Sequence, residues 1–441
     1  MSSDKLTFSY DAAGFGQSDM QSEADRIRPY IDHIADVAKT GDYGADEASV
    51  VLPADDDLMS TIGVAVDALV SEDLRWIVVI GIGGSNLGTM AVYEALRGKE
   101  YNMRAEAAPK MFFLDTTSSK RFELLRSIIA EEIEAPEQIV VNAISKSGGT
   151  TETIAALEAV MAELTAKFGK EVKDRVVLTT GKDSKFWNHG KKLGMQLLPI
   201  PDKVGGRYSV LSAVGLFPLM LAGIFTEDLR DGALAMRNRA LGSDIAQNPA
   251  LASAALTYLH LKAGRSISNS FFFNPEFEAV GKWYRQLMGE SVGKQFDLDG
   301  NEVRTGITPI VAIGSTDLHS MAQLFYGGPD DKFTTLVYAP ESKDLVRIPA
   351  EPMFPLVDGI AGKSFADVMD AIYGGVAASY KAGSLPFAEV HLPRVSPYHV
   401  GEYLQFKMLE MMYLAKLMNV NAFDQPNVED YKVETKKLLE Q

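Results

Sequence analysis

Trp76-Ile77-Val78-Val79-Ile80 runs straight into Gly81-Ile82-Gly83-Gly84-Ser85-Asn86-Leu87-Gly88. Five consecutive apolar, mostly β-branched residues read as a strand buried on both faces, the setting of a parallel sheet. Glycines directly after such a strand allow a tight turn and let a ligand approach backbone amides at the start of the next helix. Outward from this stretch, similar runs recur at Met111–Leu114, Ile139–Ala143, Val176–Thr179 and Gln196–Ile200, with helical periodicity between them, as over Glu152–Lys167. Such alternation predicts a mainly parallel sheet flanked by helices on both faces. A mainly helical passage follows, and then a second alternation at Ser266–Phe273, Thr308–Ala312, Thr334–Tyr338 and Glu389–Leu392. The expected class is α/β with two such domains. The division reads as an N-terminal helical segment over 1–70, a first domain over 71–205, a helical connection over 206–243, a second domain over 244–420 and a C-terminal helical tail over 421–441.

Composition narrows the function classes. Hydrophobic residues at 46% and charged residues at 23% give an ordinary core-forming mixture, which excludes disorder and collagen-like repeats. The formal charge of −16 opposes binding to nucleic acid or anionic membrane, so an anionic substrate needs a locally positive site. With no cysteine there is no thiolate nucleophile, thiolate metal site or disulfide. The opening Met1-Ser-Ser-Asp-Lys lacks a basic and apolar leader pattern. The longest uncharged run, Tyr208–Thr226, approaches the ~20 residues of a membrane span. It contains Gly215, Pro218 and Gly223, however, and reads as a buried helix. The expected location is the cytoplasm. Tyr403–Met418, rich in Met and Leu at helical spacing, reads as core.

Six segments hold candidate chemistry. The Gly81–Gly88 loop has the opening spacing of a dinucleotide fingerprint, and Asp115 ends the next strand, but Asn86 stands where the third glycine belongs. Ser145-Lys146-Ser147-Gly148-Gly149-Thr150-Thr151-Glu152-Thr153 again follows a strand and opens a helix. An N-cap needs one hydroxyl; a phosphate dianion wants many short donors, and this stretch supplies them. No Walker loop occurs, so Mg-nucleotide chemistry has no support. Arg207, within Gly205-Gly206-Arg207-Tyr208, fits an oxyanion stabiliser or a structural ion pair equally. Glu290 closes the aromatic, apolar stretch Trp283–Glu290, a setting that suits a general base, although a surface carboxylate near a helix end has the same pattern. His319, in Gly314–Gln323 after the strand TPIVAI, sits where open sheets place ligands, or merely caps its helix. Lys432 lies in the tail Phe423–Lys432, where composition alone makes it a helix lysine. The remaining histidines, His33, His189, His260, His391 and His399, have no metal-ligand spacing.

Together, VIGIGGSNLG, ISKSGGTTET, GGRYSVLSAVGL, QLMGESVGK, DLHSMAQ and FDQPNVEDYK, in this order, closely resemble the phosphoglucose isomerase family in its short bacterial form. The resemblance extends from Val79 to Lys432. It implies two SIS-type, flavodoxin-like domains, a homodimer with shared active sites, and reversible interconversion of glucose 6-phosphate and fructose 6-phosphate through a cis-enediolate, without metal or organic cofactor. Carried over by position, it makes Glu290 the base and Arg207 the stabiliser of the enediolate. It assigns ring opening to Lys432 and to His319, the histidine reaching in from the partner subunit. It places Gly84, Ser85, Ser145, Ser147, Thr150, Thr153 and the Lys146 amide around the phosphate or adjacent sugar, and Gln286 and Gln425 along the sugar. One departure stands out: Gly149 occupies a position where relatives usually have threonine. Two other classes compete. A non-catalytic sugar-phosphate-sensing SIS protein needs only the phosphate loop, and a nicotinamide dehydrogenase is opposed by Asn86.

Overall fold

A computed structural model describes residues 4–441; Met1–Ser3, part of the stretch read above for a leader, lie outside the described residues. Twelve strands are formed among them: β1 Thr7–Ser9, β2 Trp76–Ile80, β3 Lys110–Leu114, β4 Ile139–Ile144, β5 Val176–Gly181, β6 Gln196–Ile200, β7 Ile267–Phe272, β8 Lys294–Phe296, β9 Glu302–Thr305, β10 Thr308–Ile313, β11 Lys332–Tyr338 and β12 Phe387–His391. The chain forms two compact units, one comprising Ile34–Leu234 and the other the residues up to His33 together with Ala235–Gln441. The N-terminal stretch expected over 1–70 is therefore divided between units. Its first part also holds β1, because Thr7–Ser9 finds an antiparallel partner in Ser9↔Glu389 and Thr7↔His391.

In the Ile34–Leu234 unit the sheet runs β3-β2-β4-β5-β6, all parallel. Numbered within the unit this is 2-1-3-4-5, the doubly wound order whose ligand crevice opens between the first and third strands. Here that point lies between β2 and β4. All five residues of β2 and all six of β4 are buried. Val78, Ile80, Val141 and Ala143 pack with Leu157, Val160 and Leu164 from the helix Thr151–Phe168.

The uncharged run from Tyr208 is not one helix. A 3₁₀ turn over Gly206–Tyr208 is followed by a helix over only Ala213–Leu221, and Gly223 ends that element at φ +67°. Ser212 starts the helix, accepting from the Val214 N–H at 3.2 Å. Pro218 inside it leaves the Val214 carbonyl without its usual backbone donor, and the buried Thr89 hydroxyl supplies one at 3.2 Å. Among the described residues no helix is long and apolar enough to cross a membrane.

The second unit carries the sheet β1-β12-β11-β7-β10, parallel apart from β1. Its parallel strands, counted from β7, repeat the order 2-1-3-4. Phe271, Phe273, Leu336, Tyr338 and Tyr373 build its core. The helix Glu278–Val292 lies close on β10 because residue 281 is glycine: a Cβ there would meet a Val311 methyl at 2.4 Å. The helix Pro397–Leu417 is buried from His399 through Ala415, which places the Met- and Leu-rich run in the core as its spacing predicted.

Candidate active site

In the Ile34–Leu234 unit, three loops meet at the carboxyl ends of β2, β4 and β6. The loop after β2 turns as a 3₁₀ segment over Gly83–Ser85, with Gly83 at φ +58°. Gly84 has no room for a side chain, since a Cβ would lie 2.2 Å from the Gly206 carbonyl carbon and 2.5 Å from the Arg207 nitrogen. The backbone of the first glycine loop thus rests directly on the turn that carries Arg207. The Ser209 hydroxyl also bonds the Gly206 carbonyl at 2.7 Å and approaches the Gly84 carbonyl at 3.4 Å. Arg207 itself is 2% exposed, its guanidinium 5.5 Å from the Tyr208 ring centroid. A buried guanidinium is costly unless partnered or aimed at an anion, so this is no solvated surface charge.

The hydroxyl-rich loop after β4 is drawn inward at its start. The Ser145 and Thr150 hydroxyl oxygens lie 3.0 Å apart, and the Gly148 N–H donates to Ser145 Oγ at 3.2 Å. Thr180 Oγ1 donates to the Ser145 carbonyl at 2.6 Å. Gly148, at φ +69°, is required: a Cβ would strike Phe186 at 2.6 Å. Ser147 and Gly149 are exposed, whereas Thr153 is buried. The Lys146 ammonium turns away from the hydroxyls and donates to the carbonyls of Asp202 (2.5 Å) and Val204 (3.0 Å), tying the loop to the segment leading to Arg207. Burial lowers its pKa from the ordinary lysine value, against an opposing pull from Asp202. Two buried groups here lack a protein hydrogen-bond partner: Thr153 Oγ1 and both polar atoms of Asn86. Orphaned polar atoms are uncommon in a folded interior, and at a sheet switch point they are available to a polar ligand or to water.

The other unit presents the remaining candidates. Gln286 and Glu290 lie one turn apart on the helix Glu278–Val292, and Gln286 Nε2 donates to Glu290 Oε1 at 3.0 Å. Gln286 Oε1 is buried without a protein partner. After β10, Asp317 locks the turn, accepting from the Ile313 N–H at 2.7 Å and the Ser320 hydroxyl at 2.6 Å. His319 follows the 3₁₀ turn Thr316–Leu318 and is exposed, while Leu318 and Met321 pack on the core. This strand lies one place from the second sheet's switch point, which falls between β7 and β11. There Asn274 spans the strand ends, its carboxamide bonding the Ala339 carbonyl and N–H, both at 2.8 Å. In the tail, Gln425 is exposed and precedes a 3₁₀ turn over Pro426–Val428. Lys432 lies on the helix Glu429–Leu439 and pairs with Glu429 at 2.7 Å.

Three features of these loops have no signal of their own in the sequence. In the sequence Asn86 reads only as a missing glycine. The Lys146 side chain, and Lys294 with its distant partner Asp424, leave no local signal.

Two doubly wound units, the first with a hydroxyl-rich loop and orphaned polar atoms at its switch point, define a doubly wound α/β protein with a polar crevice in its first unit. A tagatose-6-phosphate ketose/aldose isomerase of Escherichia coli shares the fold, with a TM-score of 0.50 at 12% identity over 88% of this chain and 96% of that one. More specifically, the family model described as Phosphoglucose isomerase matches residues 65–441, and the chain belongs to that family. A glucose-6-phosphate isomerase of Carboxydothermus hydrogenoformans is 34% identical over 375 residues, covering 84% of this chain and 80% of its own. One from Fusobacterium nucleatum is likewise 34% identical, covering 82% and 79%. Among solved structures, a hypothetical protein of Thermus thermophilus superposes with a TM-score of 0.82 at 30% identity, covering 98% of this chain and 99% of the other.

Proposed function

We infer that the chain is a glucose-6-phosphate isomerase, catalysing the reversible aldose–ketose interconversion of glucose 6-phosphate and fructose 6-phosphate in glycolysis and gluconeogenesis. The single observation that carries this reading is membership of the phosphoglucose isomerase family over residues 65–441. The phosphate loop adds support: its hydroxyls gather after β4, at a switch point, in a chain whose overall charge of −16 would otherwise repel the substrate.

The roles in this proposal are those that the family resemblance implies for these positions. With the ring open, Glu290 takes the proton from C2 of the aldose, the electrons form the C1–C2 double bond, and the carbonyl oxygen becomes an enediolate oxygen. Arg207 stabilises that negative charge; what supports this is its burial without loss of contact to the glycine loop. Glu290 returns the proton to C1, and the O2 proton passes to O1, which becomes the C1 hydroxyl as the carbonyl forms at C2. His319 and Lys432 exchange protons with the ring oxygen and its hydroxyl. Gly84, Ser85, Ser145, Lys146 N–H, Ser147, Thr150 and Thr153 hold the phosphate and adjacent sugar; Gln286 and Gln425 line the chain of hydroxyls.

A homodimer in which His319 serves the partner's site belongs to the same proposal. Support comes from the loop between β11 and the helix Phe365–Ala382, where Met353 is 85%, Leu356 84% and Phe354 71% exposed in the single chain. Apolar side chains gathered this way mark an interaction surface. We place the enzyme in the cytoplasm, where its phosphorylated substrates are kept. A coupled assay converting fructose 6-phosphate to glucose 6-phosphate, with and without EDTA, tests the reading. Absence of turnover in both arms would refute it.

A further inference from the structure

Lys294 stands four residues beyond Glu290, and Asp424 stands directly before Gln425. The Lys294 side chain is 5% exposed. Its ammonium donates to the Glu290 carbonyl at 2.9 Å, to Asp424 Oδ1 at 2.9 Å and to the Asp424 carbonyl in a short bond. One buried cation therefore bridges the end of one helix and the start of the tail. The next residue extends the seam, Gln295 Oε1 accepting from Asn427 Nδ2 at 2.9 Å.

Each part of this contact has a physical reason. The Glu290 carbonyl belongs to the last turn of its helix, where carbonyls lose their backbone donors, and a lysine there satisfies one. A carboxylate in the same turn faces the negative end of the helix dipole, and the ammonium offsets that field. An ammonium carries three N–H donors, and three oxygens of two segments converge on it. The tail needs such a tie. No residue of the helix Glu429–Leu439 is buried, so the element carrying Lys432 has no core contact of its own in this chain.

We propose that Lys294, acting through Asp424, is a positioning residue that registers the tail bearing Gln425 and Lys432 against the helix bearing Gln286 and Glu290. The proposal rests on the isomerase reading above and adds to it a residue that touches no substrate. Removing the clamp frees the tail while leaving the phosphate loop, which lies in the other unit, unchanged.

The test combines kinetics on fructose 6-phosphate with hydrogen exchange of the intact protein, using K294M, D424A, K432A and the doubles K294M/K432A and K294M/T150A. In K294M, kcat should fall about tenfold or more, part of the factor that acid–base groups supply. Inhibition by inorganic phosphate should hold within about twofold, because an uncoupled site is unaffected. Amides over 429–439 should exchange faster, with those of 278–292 still protected. Added to K432A, the K294M change should cost less than about twofold, yet its full factor on T150A, since only the first pair is coupled. D424A, altering a half-exposed side chain, should repeat the pattern and carries the test if K294M does not fold. Equal losses on the K432A and T150A backgrounds, unchanged tail exchange, a fully active K294M or a fully active K432A would each overturn the clamp. Absence of turnover by the wild type would instead refute the isomerase reading, and tail exchange in the variants would still decide whether the clamp exists.

Discussion

Gln286 and Glu290 form a pair along one helix face, the amide Nε2 donating to the carboxylate Oε1 at 3.0 Å. The bond fixes the rotation of the carboxylate, which a base must hold steady to reach one particular C–H.

Glu290→Gln keeps the shape of that pair and removes the proton acceptor. Turnover should fall by roughly 10²–10⁴, the usual worth of a general base, with binding of sugar phosphate nearly unchanged. Solvent hydrogen exchange at C2, followed by NMR in deuterium oxide, should disappear in step. Turnover of even about a tenth of wild type would take Glu290 out of this role.

The phosphate loop yields a loss and a gain. Thr150 shares its hydroxyl with Ser145 at 3.0 Å, and Thr150→Ala should raise KM more than it lowers kcat, because phosphate contacts persist from ground to transition state. Gly149 is open: a Cβ there meets nothing within 4 Å, and its backbone is not among the left-handed glycines. Gly149→Thr should therefore fold normally and tighten phosphate inhibition by supplying another hydroxyl. Unchanged KM and phosphate inhibition in Thr150→Ala would remove this loop as the anchor.

If active sites are shared between subunits, mixed mutants recover activity. Glu290→Gln and His319→Ala homodimers should each be nearly inactive. Refolded together in equal amounts, about half of the dimers are mixed, each with one site carrying both lesions and one carrying neither. Activity should return to about a quarter of wild type by this two-fold symmetry. With subunit exchange verified by native mass spectrometry, a baseline rate would show that His319 works within its own chain.

The fold was legible where a signal was local. β2 spans the run Trp76–Ile80 that the sequence marks, because an unbroken apolar, mostly β-branched stretch that ends at a glycine loop has few alternatives. β1 was hidden, since Thr7-Phe8-Ser9 is three residues long and is a strand only through β12, some 380 positions away. The repeated 2-1-3-4 strand order left no sequence repeat, because topology constrains which face is apolar and not which residue makes it so. The candidate site divides the same way. Glycine and hydroxyl loops announce themselves, whereas nothing in the sequence singles out Lys294, whose partner Asp424 lies 130 positions on.

His260 predicts how stability depends on acid. Its Nε2 is 3.0 Å from the Ala13 carbonyl, to which it donates, and its ring stacks on Phe333 with centroids 3.9 Å apart. Burial, then the neighbouring Arg265 guanidinium, pushes the imidazole down to about 4. The unfolded chain therefore binds this proton more tightly. The contribution is complete above about pH 6.5 and is lost as pH falls toward 4, on the order of 3 kcal/mol in all. Urea midpoints measured at pH 7 and pH 4.5 should fall further for wild type than for His260→Phe, which keeps the stack but takes no proton. Parallel losses would assign the acid sensitivity elsewhere.

The pairing of β1 with β12 also sets an order of events during synthesis. Residues 34–234 can close as a unit once they leave the ribosome, but Thr7–Ser9 must wait for Phe387–His391, and the Leu6 N–H for the Glu402 carboxylate. At ordinary elongation rates of 5–20 residues per second, that wait is about 8–30 s after residue 234 is added. For this interval Leu6 and Thr7–Ser9 lack their partners, whereas the helix Gln17–Arg26 already has its own, Ser243, Ile245 and the helix Pro249–Lys262, at hand. Nascent chains halted near residue 300 should accordingly be cut by protease around Thr7–Ser9 and protected over 34–234. Early protection of Thr7–Ser9 would mean that this strand finds another shelter first.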